Sequence, residues 1–160
     1  MNKLIIKIIF VIYIGLTLSC SYTPLFSEKN YNFGFEEIKF IKKGEEDANR
    51  IIKNKLSLVQ QVNDKKLKKY NLYIKTSKVR KIVLKDSKGD PVKFELILIA
   101  NYEVRDSKEV ILNKEIEKKN IYDNNSDKFK LKEKEKIILE NLAGNISDMI
   151  LTSIIILDDN

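Results

Sequence analysis

The chain has 160 residues, one cysteine, no histidine, five glycines and two prolines, with 33% charged side chains and a formal net charge of +7. One cysteine excludes an internal disulfide, and the lack of histidine excludes Ser-His-Asp and Cys-His nucleophiles and every histidine metal site. A non-catalytic protein with no cofactor and no metal is therefore expected, built as one domain with an appendage.

Residues 1–19, "MNKLIIKIIFVIYIGLTLS", run from a positive end through an apolar stretch, Leu4 to Leu18, into small residues. That layout predicts a secretory signal peptide, too short and too interrupted by Lys7 to span about 30 Å of hydrocarbon. Removing Lys3 and Lys7 leaves +5 of the +7 charge. That remainder suits an anionic partner. Leu16, Thr17, Leu18 and Ser19 before Cys20 resemble a bacterial lipobox, with Thr17 where Leu is usual. The resemblance implies cleavage before Cys20 and its acylation, hence an anchor in the membrane. Each buried acyl methylene contributes about 0.8 kcal/mol, so two or more chains hold stably. Ser21 is not the Asp associated with inner-membrane retention, so the expected location is the outer membrane, lipid-anchored on its periplasmic side.

Residues 20–34 are expected to form the lipidated start and a tether, and residues 35–160 the folded domain. "FEEIKFI" (35–41) predicts a first strand, with Phe35, Glu37, Lys39 and Ile41 on one side. Ala48, Ile51, Ile52, Leu56 and Val59 recur at helical spacing, and Glu45, Glu46 and Asp47 suit the positive end of a helix dipole. A helix over 45–62 follows. Tyr70, Leu72, Ile74 and Thr76 alternate as a strand, and the pattern resumes at Val79, Ile82 and Leu84 after a bulge expected near Ser77.

"DSKGDP" (86–91) is a turn signal. In "VKFELILIANYEVR" (92–105), Val92, Phe94, Leu96, Leu98, Ala100, Tyr102 and Val104 share one face. Ile97 and Ile99 make the other face apolar too, so this strand is expected to be central and covered on both sides. After "DSKE" (106–109), a fourth strand is predicted over 110–122. "DNNSD" (123–127) offers N-caps for a long helix over 128–155, with Leu131, Ile138, Leu142, Ile146, Met149 and Ser153 as its stripe and Ala143 and Ile150 beside it. Gly144 within it suggests close approach to the sheet. The apolar tail "ILTSIIIL" leaves open whether it is extended or faces a partner.

Strand, helix, three strands, helix predicts an α+β two-layer sandwich, two helices packed on a four-stranded, mostly antiparallel sheet. The basic runs 65–69 and 75–81 offer Lys78, Arg80 and Lys81 as a candidate contact for lipid phosphates. The same lysines also serve a solvated strand edge that discourages aggregation. A nucleic-acid partner is not expected, because the secretory start contradicts the compartment and the stacking pattern is missing.

"CSYTPLF" (20–26) resembles the mature start of the LptE-type LPS-assembly lipoproteins, with Tyr22, Pro24, Leu25 and Phe26 in place and Ser21 where Gly is usual. "RIIKNKL" (50–56) is similar to that family's first helix, and Leu142, Ala143 and Ile146 to a run in its last. The resemblance implies a lipoprotein anchored through Cys20 that associates with the LptD β-barrel, plugs its lumen, helps it assemble and contacts lipopolysaccharide during delivery. A generic periplasm-facing lipoprotein with a ligand-binding sandwich, unrelated to LPS export, is the alternative.

Overall fold

The computed structural model describes residues 33–41, 44–60 and 67–158. The signal segment, Cys20, residues 21–32 of the tether and Lys65 and Lys66 of the first basic run lie outside the described residues. The elements are β1 (Phe33–Phe40), α1 (Glu46–Gln60), β2 (Lys68–Lys85), β3 (Pro91–Asp106), β4 (Glu109–Asp123) and α2 (Lys128–Asp158). The strands form one sheet in the order β1-β2-β3-β4, with β1 parallel to β2 and the other pairs antiparallel. This is the expected two-helix, four-stranded α+β arrangement.

Both helices pack on one face. Ala48, Ile52, Leu56 and Val59 of α1 meet Tyr70, Leu72 and Ile74 of β2 and the even-numbered residues of β3 from Phe94 to Val104 in a single core. Each leucine, isoleucine, valine or phenylalanine among them contributes about 1.5–3 kcal/mol when fully buried. α2 adds Leu131, Leu139, Leu142, Ala143, Ile146, Ile150, Leu151 and Ile154.

Several expectations are corrected. β1 begins at Phe33, and a register shift between Phe35 and Glu37 inverts the alternation beyond it. Phe35 is therefore buried together with partly buried Ile38 and Phe40, rather than sharing a face with Glu37, Lys39 and Ile41. No bulge occurs near Ser77; β2 stays in register with β3 through Ile82, and the irregularity comes at Val83. β3 is interior to the sheet, but its second face carries no helix. Ile97 is still only 5% exposed, flanked across the sheet by Val79 and Lys119 on the outer surface.

The stripe of α2 is rotated from the expected one: Met149 is exposed while Ile150 and Ile154 are buried, because a segment apolar all round offers two faces of nearly equal merit. Its tail is helical to Asp158, not extended. Gly144 faces α1, not the sheet, and its carbonyl accepts a hydrogen bond from Lys55 Nζ at 3.2 Å. The same ammonium reaches Asp148 at 2.7 Å, tying the helices together.

The two ends of the sheet are closed by short turns. Asp86 Oδ1 accepts backbone N–H bonds from Lys88 (2.9 Å) and Asp90 (2.8 Å), while Gly89 takes φ +89°, a left-handed conformation that glycine adopts without a Cβ penalty. At the other end Ser107 links β3 to β4 with φ 55°.

Candidate functional site

β2 has 18 residues, but its parallel partner β1 has eight, and α1 starts only where β1 ends. The far half of β2 and β3 is therefore covered by α2 alone. The uncovered strip is a cleft of about 530 Å³ between the start of α1 and the first half of α2. Leu96 and Leu139 form its floor, and Glu45, Asp47 and Lys78 line the α1 side. Phe129, Lys132, Glu133, Glu135 and Lys136 line the α2 side.

The corner at the mouth is held from β2. Thr76 Oγ1 accepts the Glu45 N–H at 3.2 Å and donates to Asn49 Oδ1 at 2.6 Å, so a strand side chain caps α1. The arrangement requires a glycine at 44, where a Cβ would lie 2.5 Å from Thr76 Oγ1 and 2.9 Å from Thr76 O.

The alternation that buries Tyr70, Leu72, Ile74 and Thr76 runs on to Lys78, which lines the cleft, and to Arg80 on the same face, paired across the sheet with Leu98 and Leu96. Lys78 Nζ lies 2.7 Å from Glu45 Oε1, and Arg80 Nε lies 3.1 Å from Glu135 Oε1. Two neighbouring cations on one strand thus clasp one helix each. Arg80 Nε also donates to Tyr122 Oη (3.1 Å), which donates to Glu135 Oε1 (2.5 Å), and its guanidinium lies 3.7 Å from the Phe94 ring centroid. Burial pushes the Tyr122 hydroxyl up to about 12, reinforced by its hydrogen bond to Glu135 and that carboxylate's charge, against smaller opposing effects of Arg80.

Of the three phosphate-contact candidates, Lys78 and Arg80 are brought together and already carry carboxylate partners. Lys81, opposite Glu95, is on the other face of the sheet. The three do not form one cluster. Sequence reasoning missed Glu45, Tyr122 and Glu135, although extending the strand period by two steps past Thr76 points Lys78 and Arg80 inward. Among the described residues no group of three or more His, Cys, Asp or Glu could hold a metal ion, and no helix is long and apolar enough to cross a membrane.

No protein-family model matches the chain, and no curated protein matches it. Solved structures do. Rare lipoprotein B from Shewanella oneidensis is 18% identical, with a TM-score of 0.61 over 79% of this chain and 97% of its own. A minor lipoprotein from Acinetobacter baumannii is 14% identical, with a TM-score of 0.57 over 79% of this chain and 95% of its own. Lipoprotein B from Nitrosomonas europaea is 16% identical, with a TM-score of 0.56 over 79% and 86%. At these identities the likeness establishes the fold, and this chain has the fold of those lipoproteins.

Proposed function

We propose that this chain is an LptE-type lipoprotein of the outer membrane, anchored through Cys20, that plugs the LptD β-barrel, helps it assemble and assists delivery of lipopolysaccharide to the cell surface. The observation that carries the reading is the extent of the fold likeness, 97% of the length of a solved lipoprotein. The lipobox-like run and the Cys20–Phe26 resemblance at the start of the mature chain supply the sequence half of the case. A barrel lumen is polar, and the outer sheet face, with Lys75, Lys81, Glu95, Asn101, Glu115 and Lys119, offers a charged surface to it.

In this reading the chain turns over nothing and binds no nucleic acid. A lipid phosphate would reach Lys78 and Arg80 by exchange with Glu45 and Glu135, and would meet Lys81 separately on the opposite face. Solubilising membranes in mild detergent with a tagged chain is the test. Co-purification of a β-barrel protein is the expected result, and recovery of the chain alone at normal expression overturns the plug. The anchor is tested by metabolic labelling with palmitate, which Cys20→Ser should abolish. The cleft itself favours the second reading, a periplasm-facing lipoprotein that binds a ligand independently of LPS export; a chain that takes up palmitate but brings down no barrel decides for it.

A further inference from the structure

β1 covers only part of one side of β2. Its pairing ends at Ile74, whose carbonyl accepts the Ile41 N–H at 2.8 Å, and Thr76 is covered by Gly44 and the start of α1. Past that corner no strand among the described residues flanks β2 on this side, while β3 stays in register with it through Ile82. Alternate residues of a strand turn their N–H and C=O groups to opposite sides. Ile74 turns its carbonyl towards β1, so Lys78, Arg80 and Ile82 turn their backbone groups to the same, open side. Every residue from 77 to 85 is exposed. An open row of donors and acceptors is a template for a further strand.

This edge has one charge sign. From Lys68 to Lys85, β2 carries six lysines, one arginine and no carboxylate. Lys78 and Arg80 meet Glu45 and Glu135 on the helix side, but Lys81 and Lys85 have no ion pair among the described residues. Val79, Ile82, Val83 and Leu84 lie between them, each about half exposed. Lysines on an edge deter neutral strands, and a second copy of β2 would set cation against cation. They attract a strand of opposite charge. β4, the other long outer strand, carries both signs along its length, from Glu109 and Lys114 to Lys119 and Asp123, and so selects no charge class. A closed barrel wall has no free strand to offer, so the occupant is a segment outside any such wall, and the inference stands with or without the plug.

We propose that residues 78–82 of β2 are a docking edge for an extended acidic segment of a partner protein, which adds antiparallel as a further strand. Residues directly opposite each other in such a pair have side chains on the same face. Carboxylates of the segment then lie beside Lys81 on the outer face, while apolar side chains opposite Lys78, Arg80 and Ile82 turn to the helix side. The alternating backbone groups favour a strand over an anionic lipid, whose headgroup cannot follow a ladder.

The test uses the full-length chain in mild detergent and a fluorescent, end-capped peptide alternating glutamate with valine, with binding read by anisotropy. Binding is expected and should weaken as salt rises, and a lysine–valine peptide should bind at least about tenfold more weakly. In the proposed register the valine N–H groups face β2. Methylating the valine nitrogens should therefore cost at least about tenfold, while methylating the glutamate nitrogens should cost little. Ile82→Pro removes an N–H that faces the open side and no β2–β3 bond, so it should weaken the peptide about tenfold with the urea midpoint near the parent's. The methylated peptides leave the protein untouched and decide the question even if that variant unfolds. The inference is overturned by a glutamate–valine peptide that does not bind, by a lysine–valine peptide that binds equally, or by equal effects of the two methylations. Displacement of the peptide by inorganic phosphate as readily as by unlabelled peptide also overturns it, leaving a plain anion contact in its place.

Discussion

Replacing Gly44 by alanine tests the corner that sets the mouth of the cleft. The new methyl would sit 2.5 Å from Thr76 Oγ1 and 2.9 Å from Thr76 O, closer than real Cβ contacts come. Relief requires a shift of about half an ångström, at the overpacking cost of about 1–3 kcal/mol. The shift also breaks the Thr76 bonds to Glu45 and Asn49, each worth about 0.5–1.5 kcal/mol net. A loss of about 2–4 kcal/mol is expected, read as a lowered urea midpoint with unchanged m-value in the Cys20→Ser mature chain. Thr76→Ala removes the side-chain half of the clash and leaves the carbonyl half. The two substitutions should therefore couple by at least about 1 kcal/mol in a double-mutant cycle. A Gly44→Ala chain within about 0.5 kcal/mol of the parent, or a cycle that is additive, would refute the close-approach argument.

Other outcomes follow from the same geometry. Titrated by ultraviolet absorbance, Tyr122 should ionise near 12, above the ordinary tyrosine value near 10. Its folded pKa is raised above the unfolded value near 10, so its stabilisation is complete below about pH 10 and is lost as pH climbs towards 12. Glu135→Gln should bring that titration down part of the way, because burial remains the larger cause. Ile150→Ala, at a fully buried site, should cost about 2–5 kcal/mol in urea unfolding, whereas Met149→Ala on the exposed side should cost far less. Lys55→Met should cost about 1 kcal/mol, since the pair with Asp148 is about one-third exposed. Ser107→Gly should raise the urea midpoint modestly, relieving a positive φ in a non-glycine residue.

The order of elements was legible because hydrophobic period and turn chemistry agree. Gly89 and Pro91 end one strand and start another, Asp127 caps α2 through bonds of 3.0 and 3.2 Å to the N–H groups of Phe129 and Lys130, and β3 keeps its even-numbered residues from Phe94 to Val104 in the core. Reading failed where one residue flips a face. The shift after Phe35 reverses the second half of β1, and no local signal marks it. In β2 the opposite error arose: a bulge at Ser77 kept Val79 inside and cations outside, while the true strand runs on and takes Lys78 and Arg80 inward. Those cations are tolerated there because Glu45, Glu135 and Tyr122 come from distant stretches of sequence, 33 to 55 residues away, and pairing at that separation leaves no trace in a local pattern. The cleft was invisible for a similar reason, arising from a mismatch in length between β1 and β2 that only the parallel register reveals.

That parallel register also orders events in time. Strands two, three and four are joined by tight reversals and can zip together from neighbouring residues, whereas the first must wait for the whole of the intervening helix before its partner is within reach. β1 is thus the last to dock and, like β4, it has one neighbour instead of two. In the proposed lipoprotein reading, a carrier holding the chain by its N-terminus would be handling an edge strand whose release leaves the other three still paired.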